Sequence, residues 1–284
     1  MHRPGRARQA VSDGAGLTAV ACEGNRPWPC SAVWPRGWDE CGPAQLPASC
    51  PAPLSRVLGC SAPTTVEEVI MRIGIIGAGN VGGGLATAAT AAGHEVAVAA
   101  AHQAHAAKVA EQAGAAVAAD PAEAVQGADL VMLAVPAAAA AGVLGRLGDA
   151  AAPGTAVVDV TNPLNDTFSD LTTSGISHAE QLAAAAPQLK LVKAFNTILA
   201  SRLSNPSEDG QPLDGFYAGD DEAAKATVAQ LLGSLGFRPI DVGGLRMARA
   251  LEEMAFLNIT LNARNGWSWQ SGWKLVGPVS RTTA

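Results

Sequence analysis

Six residues, Gly77-Ala78-Gly79-Asn80-Val81-Gly82, have the G-x-G-x-x-G spacing that brings a main chain against a pyrophosphate. In such a turn the first glycine permits a tight reversal after a strand and the second lets phosphates approach the backbone. The third allows the following helix to pack closely on the strand. A helix opening at Asn80 and Val81 would aim its free amides and positive dipole end at those phosphates. The spacing alone is common. It becomes informative here because an apolar strand-like run (71–76) stands directly before it and an Ala-rich helical stretch directly after.

At the end of their second strand, NAD-preferring proteins place an acid on the ribose hydroxyls. This chain reads Ala99-Ala100-Ala101-His102-Gln103 there, and its next acid is Glu111. With no carboxylate to repel a 2′-phosphate, NADP(H) is favoured over NAD(H), although no arginine supplies a clamp. His102 either donates to that phosphate or is, with His105, a surface residue of the loop. Lys108 follows one to two helical turns later.

Three other strand ends carry polar or chain-terminating residues: Ala134-Val135-Pro136, Asn162-Pro163 and Asn196-Thr197. Doubly wound sheets bind ligands at the carboxyl ends of their strands, so each segment can line a cleft. Equally, the prolines can simply end the strands. No Ser/His/Asp arrangement, metal-ligand spacing or obvious catalytic lysine stands out. Hydride transfer needs none of these, since it depends mainly on alignment. The tail holds Trp267, Trp269 and Trp273 beside Gly266 and Gly272. These rings can stack on a planar ligand or, as is more usual, pack a core or a dimer seam.

The elements that must hold these residues follow a simple alternation. Strands are expected at 71–76, 95–100, 115–118, 129–135 and 155–160. Helices fall between them at 80–92, 104–113, after Asp120-Pro121, and at 137–147. Beyond, Ser177 with Glu180 three residues on has capping-box spacing for a helix to 186. A strand at 190–195, a strand ending at 216–219 and a helix at 222–235 opened by Asp220 and Asp221 come next. A last strand (237–242) and the longest helix (245–261) complete the pattern. The fold class is therefore α/β: a Rossmann-type doubly wound, mostly parallel sheet with a smaller C-terminal α/β part. Residues 71–161 form the dinucleotide-binding domain, and 162–284 the smaller part that completes the cleft.

Residues 1–70 differ in kind. They contain 9 of the 18 prolines, all five cysteines (Cys22, Cys30, Cys41, Cys50 and Cys60) and no lysine, with neither helical nor strand period sustained. They read as a disordered extension, or as sequence upstream of a misassigned start, since Met71 opens a strand directly; a regulatory or targeting arm is the functional alternative. The cysteine count is odd and the spacing unpaired, which speaks against a disulfide scaffold. The rest of the chain lacks cysteine, as suits a reducing cytoplasm. A net charge of −6 argues against general nucleic-acid binding, and no apolar run reaches membrane-span length. With hydrophobic residues at 48% but aromatics at only 4%, the core must be built from Ala, Val, Leu and Ile.

Several motifs occur in order: Met71-Arg72-Ile73-Gly74-Ile75-Ile76 leading into the glycine turn, Leu133-Ala134-Val135-Pro136 and Asp159-Val160-Thr161-Asn162-Pro163-Leu164. Val192-Lys193-Ala194-Phe195-Asn196-Thr197 and Ala218-Gly219-Asp220-Asp221 follow. Over 71–284 this series resembles the coenzyme F420-dependent NADP oxidoreductase family. The resemblance implies hydride exchange between NADP(H) and the deazaflavin coenzyme F420 across a cleft between two parts. A homodimer is expected. The candidate dinucleotide set is Gly77, Gly79, Asn80, Val81, Gly82, Ala101, His102, Ala134, Val135, Pro136 and Asn162. The resemblance places Asn196, Thr197, Ile198 and Trp269 beside the deazaflavin. No catalytic residue is singled out. Family members commonly carry a Ser-Arg pair where this chain has Ala101-His102. Two other functions fit the same turn: an NAD(P)H-dependent reductase of a small imine or carbonyl compound, and a non-catalytic NADPH-sensing protein. Pyrroline-carboxylate-type reductases have an all-helical C-terminal domain, and the strands expected near Phe216 and Phe237 argue against that variant.

Overall fold

The apolar run after Met71 becomes β1 (Arg72–Ile76), buried at every position except Arg72. A computed structural model describes residues 69–147 and 150–277, so nearly all of the 1–70 extension, with its cysteines, lies outside the described residues. After β1 come α1 (Asn80–Ala91), β2 (Glu95–Ala99), α2 (Gln103–Ala113), β3 (Ala116–Val117), α3 (Pro121–Val125), β4 (Leu130–Leu133), α4 (Ala137–Leu147) and β5 (Ala156–Asp159). The second half contributes α5 (His178–Ala185), β6 (Lys190–Ala194), a short hairpin of β7 (Ser207–Glu208) and β8 (Gln211–Pro212), and β9 (Asp214–Gly219). It closes with α6 (Glu222–Ser234), β10 (Arg238–Asp241) and α7 (Ala248–Asn265).

Eight strands form one sheet in the order β10-β9-β6-β5-β4-β1-β2-β3, which runs without a break through both halves of the chain. Every neighbouring pair is parallel except β6–β9. The carboxyl ends of β2, β1, β4, β5 and β6 therefore share one edge, while β9 and β10 present their amino ends there. Because successive strand residues face opposite sides, the sheet has two cores. Ile73, Ile75, Met132 and Val158 pack under α1, α2 and α6 on one face. Ile76, Val131, Leu133 and Val157 pack under α4 and α5 on the other. Alanines at the α1–α2 seam (Ala86, Ala89, Ala106 and Ala110) let the helices lie close to the sheet, as the aromatic-poor composition requires. No described helix is long and apolar enough to cross a membrane.

The caps expected at Asp120 and Ser177 form as side-chain bonds. Asp120 accepts from the Glu123 amide, and Asp221, expected only to favour its helix by charge, accepts from the Ala224 amide. Ser177 and Glu180 make the reciprocal capping box at the start of α5. There α7 docks as well: Arg249 Nε and Nη2 each donate to Glu180 at 2.7 Å. These bonds, aided by the Ser177 amide and hydroxyl and opposed by partial burial, lower the Glu180 carboxyl from 4.5 to about 2. A depressed carboxyl stabilises the fold at pH values above its unfolded pKa and loses that contribution as pH falls through the folded value. The stability advantage of the native protein over Arg249→Met should therefore shrink between about pH 4.5 and pH 2. Urea midpoints measured across that range would test it; parallel acid limbs would refute it.

Candidate functional site

The glycine turn sits where β1 ends, and each glycine has its own reason. Gly77 has φ 122°, and a Cβ there would lie 2.0 Å from the Ala134 carbonyl oxygen. Its amide donates to Ala99 O at 2.8 Å, so the turn is stitched to the ends of both β2 and β4. A Cβ on Gly82 would lie 1.9 Å from Gly77 O, because α1 turns back directly over the strand end. Gly79 is different. It is exposed, and a Cβ there would meet nothing within 4 Å.

That open space lies at the N-terminus of α1, which has no side-chain cap and no acid in its first turn. Its first amides and positive dipole end are thus left for an external acceptor. By contrast α3, α5 and α6 are all capped by their own side chains. Uncapped amides, absent acids and open space above Gly79 together fit a dinucleotide's phosphates. Ala134 and Val135 are half-buried beside Gly77, and Pro136 is exposed just before α4. Ala101 and His102 are exposed at the end of β2. His102 occupies the N-cap position of α2 without making a side-chain cap, and its ring meets that of His105 edge-on with centroids 5.5 Å apart. Among the described residues no group of three His, Cys, Asp or Glu side chains is placed to hold a metal.

Further along the edge, the ends of β5 and β6 are tied through their asparagines. Asn162 Nδ2 donates to Asn196 O at 3.0 Å, and Asn196 Nδ2 donates to Asn162 Oδ1 at 3.1 Å and to Leu251 O at 2.9 Å. Just before Asn196, the buried Phe195 holds φ at 63°, a left-handed conformation that bulky side chains rarely adopt. It opens a tight turn in which the Ile198 amide donates to Phe195 O at 3.0 Å. Thr197 and Ile198 then pack near Gly272 and Trp273 at the start of β9. Trp269 is not among those contacts. It is exposed, and its carbonyl oxygen accepts from the Ser201 hydroxyl. The side-chain oxygens of Thr161, Asn196 and Thr197 are buried without a hydrogen-bond partner.

Beneath these asparagines lies a cluster that sequence reading missed. Lys193 of β6 stands directly opposite Asp159 of β5 and is fully buried. Its Nζ donates to Asp159 Oδ2 at 2.9 Å and to Thr161 O at 2.6 Å, and lies 3.2 Å from Glu252 Oε1 of α7. Glu252 in turn accepts from the His178 and Ala179 amides at the start of α5, at 3.0 and 3.2 Å. The two carboxylates thus share one ammonium, and Glu252 also takes up the helix N-terminus while Asp159 Oδ1 accepts from the Thr161 amide at 2.9 Å. The cluster fastens β5, β6, α5 and α7 to one another immediately below the Thr161–Asn162 turn. A lysine and an aspartate each placed within otherwise apolar strands were the available signal.

The family of NADP oxidoreductases described as coenzyme F420-dependent matches residues 72–163. A solved structure from Arthrobacter sp. FB24, named for an F420-dependent NADP-reductase, is 30% identical. It covers 72% of this chain and 100% of its own, with TM-score 0.64. A hypothetical protein from Sinorhizobium meliloti is 34% identical and covers 62% of this chain and 86% of its own, with TM-score 0.56. The metalloreductase STEAP3 of Rattus norvegicus is 38% identical over 99 residues, which are 35% of this chain. That match spans only 20% of the metalloreductase's length.

Proposed function

Because the chain belongs to the family of coenzyme F420-dependent NADP oxidoreductases and is itself an NADP-dependent oxidoreductase, we propose that it moves a hydride between NADP(H) and coenzyme F420 or a similar planar acceptor. The observation that carries this reading is the continuity of one sheet edge. The glycine turn, the 134–136 segment and the Asn162–Asn196 pair end β1, β4, β5 and β6, which are neighbours in that order. Two flat ligands laid along such an edge meet near Asn162.

Gly77, Gly79, Asn80, Val81 and Gly82 hold the phosphates in this reading, Ala101 and His102 border the adenosine ribose, and Ala134, Val135, Pro136 and Asn162 flank the nicotinamide. Asn196, Thr197, Ile198 and Trp269 border the acceptor. When bound, the nicotinamide supplies the hydride, and the acceptor takes it together with one solvent proton. The chain's residues align the two rings and exclude water; none is assigned a proton-transfer role, consistent with an acceptor that needs only alignment.

Purified protein should oxidise NADPH when oxidised coenzyme F420 is added, faster than it oxidises NADH. Parallel assays with a cyclic imine and a small carbonyl compound provide the comparison. Turnover only with the imine or carbonyl compound, or no turnover with coenzyme F420, would overturn the assignment of the acceptor.

A further inference from the structure

Between α1 and α2 the surface opens into a cleft of about 460 Å³. Its walls include Gly79 and Asn80 of the turn, His105 and Lys108 of α2, and Ser204 from the loop before the hairpin. No Asp or Glu lines it. His102, His105 and Lys108 follow one another at i, i+3 spacing, so they climb a single face of α2. All three are exposed, and among the described residues none pairs with a carboxylate. Glu111 continues the same row three residues beyond Lys108 but lies outside the cleft.

A basic row opening onto a phosphate-binding turn, in a cleft that no acid lines, is suited to an anion held next to the pyrophosphate. We infer that His105 and Lys108, with His102 above them, read the 2′-phosphate of NADP(H), a role that a loop arginine would otherwise fill. The inference rests on the glycine turn holding the dinucleotide, and it names what makes that site prefer the phosphorylated form. The ammonium of Lys108 is a compact charge on a flexible stem, able to reach a phosphomonoester from one turn further along the helix. Ala101 contributes by absence, since it leaves the loop without a carboxylate to repel the same group.

The test uses the full chain and two probes, 2′,5′-ADP and 5′-AMP, titrated by calorimetry alongside NADPH and NADH. A charge-assisted phosphate contact contributes about 1.5–3 kcal/mol, roughly 10- to 150-fold in affinity. Lys108→Ala should therefore weaken 2′,5′-ADP by a factor in that range and reduce the NADPH-to-NADH affinity ratio equally. His105→Ala should have a smaller effect in the same direction, and Lys108→Arg should restore most of the loss. Unchanged 2′,5′-ADP affinity and an unchanged NADPH-to-NADH ratio in both alanine variants would overturn the clamp while leaving the dinucleotide site intact. Failure of the native protein to bind either dinucleotide would overturn both.

Discussion

Lys193→Met should lower the unfolding free energy by about 3–5 kcal/mol, the cost of leaving a buried charge without its partner. The side chain is fully buried, and so are Asp159 and Glu252, so its loss forces two carboxylates to face each other in the interior. The hydrogen bond to Thr161 O disappears as well. For a fold of this size the melting temperature should fall by about 10 °C. Asp159→Asn in the Lys193→Met background removes one of the stranded charges and should recover part of the loss. Thermal and urea unfolding of the two variants measures both effects. A loss below about 1 kcal/mol for Lys193→Met would mean that water or rearrangement already compensates the cluster.

Gly79→Ala should have the opposite profile, with normal stability and weak binding. Gly79 has φ −84°, which any residue adopts, and a Cβ there meets nothing within 4 Å. The added methyl projects into the space above the α1 amides, where it would keep a pyrophosphate at a distance. Losing one or two charge-assisted bonds there, at about 1.5–3 kcal/mol each, weakens NADPH by at least roughly tenfold. Gly77→Ala gives the contrast. With φ 122° and the Ala134 oxygen 2.0 Å from the new carbon, it should unfold at clearly lower urea concentration. Equal stability loss for the two variants would remove the case that Gly79 is kept free for a ligand.

Local signals carried much of the fold. The helix expected at 137–147 forms with those limits, because an Ala-rich run between Pro136 and the next strand has no competing pattern. Asp120 and Ser177 cap as their sequence positions imply, since a cap depends on residues only three positions apart. Strand direction was not legible in the same way. β9 runs against β6, and nothing in 214–219 records that polarity. The two-residue strands β7 and β8 are too short to leave a period.

Within the site, the glycine turn was readable because each glycine answers to a neighbour close in sequence or to a ligand. Lys193 was not, because a lysine in a strand reads as surface until its partners are known. Asp159 lies 34 residues before it, and Glu252 sits on a separate helix. His105 and Lys108 were legible as residues but not as a wall of a cleft. Their role depends on Ser204 and the start of α1 closing the other sides.

The antiparallel junction between β6 and β9 gives the ligand edge two different constructions. From β2 to β6 it is made of strand ends, and moving any of them would disturb the hydrogen-bonded ladder behind it. Past β6 it is made from the 195–213 excursion and the tail, which rests on that excursion through Ser201 and on β9 through the Asp214 amide bonded to Trp273 O. Those segments lie outside the ladder, so they can change in length or sequence while the dinucleotide half keeps its register. The architecture thus joins a half fixed by its ladder to a half free to vary, and divergence among relatives should accumulate on the free side of the seam.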